Sequence, residues 1–206
     1  MKTPTKHLEK PPWFTPHRKL RTDGYLLLSA LLVDVPSELV VRLVQSMCWD
    51  EDLPENMHRA LASLNLAGSS CPQENIAEEF KRLFVGLGSG ELIPYASWYR
   101  EKLIQSAPLA AIRSDLARLG IVRKSESFES EDHAGALCEI MALLSTQDNE
   151  ISEQEQAAFF HHHISTWMPD FFKDLQAADR SVFYRSVGEF GRCFLAGECE
   201  FLHADR

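Results

Sequence analysis

Phe183, Val187, Phe190 and Phe194 are separated by four, three and four positions, and the same rhythm returns in nearly every segment of this chain. Side chains so spaced share one face of an α-helix, whereas a half-buried strand needs alternation at every second residue. Alternating runs are scarce, so the rhythm confines the chain to an all-α fold. Punctuation agrees. Asp23 is placed to cap a helix over 24–33, and Ser37 to cap one whose buried stripe is Leu39, Val40, Leu43, Val44 and Met47. Pro54 opens a third over 55–66 with Met57, Leu61 and Leu64 inward, ended by the turn Gly68-Ser69-Ser70. Pro72 opens a fourth that should end at Gly86, with Ile76, Phe80, Leu83 and Phe84 on one face. Ser106 precedes the stripe Leu109, Ile112, Leu116 and Leu119, and Gly120 falls at the left-handed cap position. Ser152-Glu153-Gln154-Glu155 is a capping box. Thr166 is placed to cap a helix with Pro169 in its first turn and Trp167, Met168, Phe171, Phe172 and Leu175 in the core. On the last helix, Gly188 and Gly191 allow a neighbour to approach closely.

A chain of 206 residues can bury one sizeable core. The expectation is a single helical-bundle domain of roughly ten helices in two packed lobes. A flexible basic arm covers 1–22, an N-terminal lobe 23–120, a connection 121–131 and a C-terminal lobe 132–206. The connection has no helical stripe and several turn-formers, so it suits a closed monomer or an exchange of lobes between two copies.

Charge and apolar runs exclude several functions. Residues 1–22 hold six basic side chains against Glu9, or +5, which leaves 15 basic and 29 acidic residues in the remainder, or −14. So acidic a body repels nucleic acid and favours cationic partners. The longest apolar run, Tyr25 to Val33, is too short for the ~20 residues of a membrane span, and Asp23 and Asp34 bracket it. Cys48, Cys71, Cys138, Cys193 and Cys199 are scattered and odd in number, which fits a reducing, cytoplasmic setting rather than a disulfide framework or a zinc site.

Two stretches carry the chemistry. In the first, Gly86-Leu87-Gly88-Ser89-Gly90 follows a helix and precedes Pro94, Tyr95, Ser97, Trp98 and Tyr99. Rings beside a glycine-rich loop read either as core or as a groove for a peptide, since rings give contact area at small entropy cost. No strand precedes the loop and no Lys-Ser/Thr pair follows, so neither nucleotide-binding fingerprint is met. The second stretch, Glu129-Ser130-Glu131-Asp132-His133, stands before a helix with Leu137, Ile140, Met141 and Leu144 inward. Glu131 or Asp132 is the expected cap, and the remaining acids with the imidazole form a pocket for a cationic side chain. His161-His162-His163 invites a metal assignment, but successive helical residues point about 100° apart and cannot converge on one ion. His163 is expected to be packed and hydrogen-bonded while another of the three is solvated.

These blocks, with His163-Ile164-Ser165-Thr166-Trp167-Met168-Pro169, resemble in order the TorD/DmsD family of cytoplasmic chaperones for molybdoenzymes exported by the twin-arginine route. Ser130 stands where the family's E-P-x-D-H motif has proline, and Ile93-Pro94-Tyr95-Ala96 replaces its double-proline-tryptophan. The resemblance implies an all-helical, non-catalytic protein without a resident cofactor. It also implies binding of a partner precursor's twin-arginine leader and apo-form, with proofreading before export. In some members it implies swapped dimers and weak GTP binding as well. The partner would be of the dimethyl sulfoxide or trimethylamine oxide reductase type, or the formate dehydrogenase type. The residues matched to leader binding are Phe84, Leu87, Tyr95, Ser97, Trp98, Tyr99, Glu129, Glu131, Asp132, His133, His163 and Trp167. Two other readings compete: a nucleotide-dependent enzyme or weak GTPase using the glycine loop with Asp132-His133, and a helical adaptor that ignores leaders.

Overall fold

The computed structural model describes residues 18–49, 52–85, 90–122, 129–146, 151–179 and 181–203. It contains α1 (Arg18–Leu32), α2 (Glu38–Gln45), α3 (Glu55–Ser70), α4 (Gln73–Phe80) prolonged by a π-helical turn (Lys81–Val85), and α5 (Ala96–Glu101). There follow α6 (Ala107–Arg118), α7 (Ala134–Ser145), α8 (Glu153–His163), α9 (Met168–Ala177) and α10 (Phe183–His203). No strand occurs among the described residues, so the fold is all-α, as the spacing requires.

The longest helix, α10, is the axis of the bundle. It packs on α9, α3, α1, α4 and α8, while α1 lies along α7. One continuous apolar cluster joins helices from both sides of 121–131, from Leu28 and Leu64 to Phe171, Phe183 and Val187. Each such aliphatic or aromatic side chain contributes about 1.5–3 kcal/mol on burial. Gly188 and Gly191 let α9 close on α10: a Cβ at Gly188 would sit 2.8 Å from the Phe172 carbonyl, and one at Gly191 would overlap the Phe172 ring.

Start points differ from the sequence reading where distant side chains take over from local ones. α1 begins at Arg18 rather than after Asp23, so the last residues assigned to the basic arm are helical. Arg21 is the reason. Its guanidinium is 1% exposed, donates to Glu198 at 2.6 and 3.0 Å and to Gln156 at 3.1 Å, and lies 4.4 Å from the Phe201 ring centre. Tyr25 adds a 2.7 Å hydrogen bond to the same carboxylate. The start of α10 is likewise secured from afar, by the buried Glu79, which accepts from Ser181 Oγ and from the backbone N–H groups of Val182, Phe183 and Tyr184. That carboxylate satisfies donors a local cap would otherwise serve.

One stripe, one helix end and two helix starts are also corrected. On α2 the buried residues are Val41 and Val44, whereas Leu39 is 73% and Leu43 55% exposed, because this short helix offers only one narrow face to its neighbours. α3 runs on through Ser70, with Gly68 pressed against Val44. His133, not Glu131 or Asp132, caps α7, and α9 starts after Trp167 without a side-chain cap. The Ser37 cap, the Ser152–Glu155 capping box and Gly120 at φ +70° occur as the sequence indicates.

Candidate site at the motif junction

The two chemistry-bearing stretches meet. Tyr95 and His133 face each other in an isolated antiparallel bridge, with Ala96 N–H donating to the Asp132 carbonyl at 2.9 Å and Ala134 N–H to the Pro94 carbonyl at 2.8 Å. Glycine makes the approach feasible at two points. Gly90 lies on the backbone of Leu83 and Phe84, where no Cβ fits, so that Leu92 N–H reaches the Leu83 carbonyl at 2.8 Å. Gly135 lets the start of α7 abut the end of α1, since a Cβ there would sit 2.5 Å from Val33 Cγ2. Glu91 then ties the loop to the α9–α10 connection by accepting from Asp179 N–H at 2.8 Å.

Beneath the bridge lies a sealed polar knot. Asp132 is fully buried, and its carboxylate accepts from Ser97 N–H at 3.2 Å, Ser97 Oγ at 2.5 Å and Ser130 Oγ at 2.6 Å. Ser130, in the family's proline position, thus supplies a hydroxyl to the acid. His133 accepts from Gly135 N–H through Nδ1 at 3.1 Å, which places its proton on Nε2, and its ring stands edge-on to Tyr95 at 5.0 Å. Burial pulls its pKa down to about 4, against the partial support of Glu129 and Asp132, so the imidazole is neutral at pH 7. With Nδ1 occupied as a cap, this imidazole has no acceptor left with which to act as a base on Ser97.

Above the knot the surface opens. Tyr95, Trp98 and Tyr99 are all half-buried. Tyr95 donates to Glu129 at 2.6 Å and Tyr99 to Asp174 at 2.9 Å. Burial first, and then these carboxylates, raise both phenols well above their ordinary range and keep them as donors. The Lys102 ammonium hangs over both neighbouring rings, 5.6 Å from Trp98 and 5.4 Å from Tyr99. Glu131 faces elsewhere, gripped by Arg113 at 2.9 and 3.1 Å.

Three of the sequence-matched residues stand behind the rings. Trp167 is 2% exposed, 5.4 Å from Tyr99, and donates to the His163 carbonyl at 2.7 Å. His163 is 3% exposed and pairs through Nε2 with Asp115 at 2.7 Å. Burial lowers the His163 pKa despite that partner, while His163 and Arg118 together outweigh desolvation and hold the Asp115 carboxyl below its usual range. His162 is exposed, so the triplet does not converge, and no cluster of three metal-ligating side chains occurs among the described residues. Phe84 packs on Phe80 and Tyr184 at 5.0 and 5.4 Å. Leu87 and most of the glycine loop lie outside the described residues.

Beside Glu129, the surface carries two acids that the sequence reading does not single out. Asp170 and Asp174, one turn apart on the outer side of α9, are exposed and both act on Tyr99. Their signal was their alternation with Phe171, Phe172 and Leu175, which marks an outward face. Lys102, three and four residues beyond Tyr99 and Trp98, was legible by the same helical register. The assembled surface offers ring faces with carboxylates at their edge, a receptor for guanidinium or ammonium groups attached to apolar chain.

Known proteins resemble this chain in sequence and in fold. Residues 50–173 match the nitrate reductase delta subunit family. Chaperone protein TorD of Vibrio cholerae is 25% identical over 156 residues, covering 71% of each chain. The candidate Tat proofreading chaperone DmsD of Haemophilus influenzae is 26% identical over 141 residues, covering 68% of this chain and 66% of its own. A candidate redox enzyme maturation protein from Archaeoglobus fulgidus has the same fold, with a TM-score of 0.60 at 17% identity over 86% of this chain and 94% of its own. Those curated relatives are chaperones rather than catalysts, and the chain belongs with them to the nitrate reductase delta subunit family, the TorD/DmsD group its motifs point to.

Proposed function

We propose that this chaperone binds the twin-arginine leader of a molybdoenzyme precursor in the cytoplasm and holds the apo-enzyme until its cofactor is inserted. The observation that carries this reading is the motif junction, where half-buried rings and outward carboxylates stand side by side. A twin-arginine leader presents the complementary pair, two guanidinium groups followed by an apolar helix-forming segment. Tyr95, Trp98 and Tyr99 receive the apolar part next to the arginines, and Glu129, Asp170 and Asp174 orient the charges. Asp132, His133, His163 and Trp167 act as positioning residues beneath them. Burial of apolar surface at ~25 cal/mol per Å² supplies most affinity, while the charges govern orientation and on-rate.

Calorimetry with a leader peptide tests this. Trp98→Ala and Glu129→Ala should each weaken an Arg-Arg peptide several-fold, and a Lys-Lys peptide should bind less well than the Arg-Arg one to the unaltered chain. Indifference to all three changes would remove the junction as the receptor.

A further inference from the structure

The fold leaves apolar residues outside its core along one side of α1, and they are not scattered. Leu20, Leu26 and Leu43 are 40%, 48% and 55% exposed, and all three line a cavity of about 730 Å³ between α1, the α2–α3 connection, α3 and α10. Its floor includes Met57, Leu61 and Phe194. Five residues on α2 and just beyond it carry a core pattern, yet folding buries only Val44 of them, and two of the others, Leu43 and Met47, face this trough. An apolar concavity of such size on a folded chain marks a docking surface.

We infer that this trough seats the helix-forming apolar segment that follows the arginines of the partner's leader, an inference that rests on the proposed leader binding. Three observations select that occupant. The lining from Leu20 to Ala30 extends ten residues along α1, or about 15 Å, the length of roughly ten helical residues. Among its described lining residues Asp23 alone is charged, so the trough disfavours a second copy of a chain whose body carries −14 and tolerates a cationic ligand. Finally, the exposed edge of α1 runs on from the trough towards the start of α7: Ala30, on the lining, and Val33, one turn further, are both exposed, and Val33 lies against Gly135, two residues beyond His133. That edge gives the apolar segment of a leader a course along α1 on the side where α7 begins.

The test uses the full chain and three synthetic peptides: Arg-Arg followed by about ten Leu/Ala residues, Arg-Arg followed by a Gly/Ser stretch, and Gln-Gln followed by the Leu/Ala stretch. The first should bind tightest to the unaltered chain. In the doubly substituted Leu26→Asp, Leu43→Asp chain, where both side chains are already exposed, it should lose roughly tenfold or more and fall to the level of the Gly/Ser peptide. The Gly/Ser peptide should bind both chains alike. Full affinity of the first peptide for the double variant, with sensitivity to Trp98→Ala retained, would overturn the trough and leave the junction standing. Failure of all three peptides to bind the unaltered chain would overturn leader binding itself, and the trough with it. Self-association of the unaltered chain that disappears in the double variant would assign the trough to a second copy and overturn the proposal.

Discussion

The motif junction and the α1 trough are opposites in how they use their residues. At the junction, the side chains that make the sequence distinctive are largely spent on one another: Asp132 on Ser97 and Ser130, His133 on Gly135, Glu131 on Arg113. Along the trough no motif is visible, yet Leu26 and Leu43 are left uncovered. A motif of buried polar residues sets the positions of a few outward groups, while the greater contact area can lie among residues without any signature. On the proposed reading the junction would supply register and charge, and the trough area.

The sharpest way to break this contrast is to loosen the trough from behind. Arg21 fixes α1 to α10 through a buried ion pair, and Arg21→Ala leaves the Glu198 carboxylate in the core with the Tyr25 hydroxyl but without its cationic partner. The expected loss is about 3–5 kcal/mol of stability in urea unfolding. A loss under about 1 kcal/mol would show that α1 is held by apolar packing alone.

Next comes the division of labour among acids. Asp132→Ala strands three donors, on Ser97 and Ser130, and should cost about 2–4 kcal/mol. Glu129→Ala should cost less than about 1 kcal/mol in stability while weakening leader binding. The reverse ranking would mean that Asp132, not Glu129, meets the ligand.

Proton linkage offers a comparable effect at one residue. His133 has a folded pKa of about 4 against 6.5 for the ordinary side chain, so between these values the unfolded chain binds the extra proton. Stability should be full above about pH 6.5 and decline as pH falls towards 4, by on the order of 3 kcal/mol. His133→Asn keeps a capping side chain and should flatten that part of the profile. An unchanged slope would place the linkage on other groups, with His163 the first to test.

The smallest effect separates ring faces from bulk charge. Lys102 lies over Trp98 and Tyr99 where a leader arginine would sit, so Lys102→Gln should tighten Arg-Arg peptide binding about two- to fivefold. Lys173→Gln, an exposed lysine on α9, serves as the control for net charge. Equal gains from both would reduce the contact to long-range electrostatics.

Much of this was legible in the sequence, for reasons that also explain what was not. Helix faces such as Phe183, Val187, Phe190 and Phe194 follow from local spacing, and so do the Ser152–Glu155 box and the Gly120 cap. The pairing of Tyr95 with His133 could be expected only from the resemblance, because nothing local joins residues so far apart. The Arg21–Glu198 pair and the Glu79 carboxylate at the start of α10 have no local signal at all: each joins residues more than a hundred positions apart, and a lone charge on a helix face ordinarily reads as solvated. The α2 stripe misled for a related reason. Leu39 and Leu43 carry the periodicity of a core face, and periodicity does not distinguish a side chain buried by its own fold from one left for a partner.

Photo-cross-linking tests the central claim most directly. An Arg-Arg leader peptide with a photoreactive phenylalanine analogue placed first beside the arginines and then within the apolar segment is irradiated with the full chain, and the adducts are mapped by mass spectrometry. The account predicts adducts at Tyr95, Trp98 or Tyr99 from the first position and at Leu26, Leu43 or Met47 from the second. Adducts from both positions confined to the outer face of α6 or the end of α10 would contradict it.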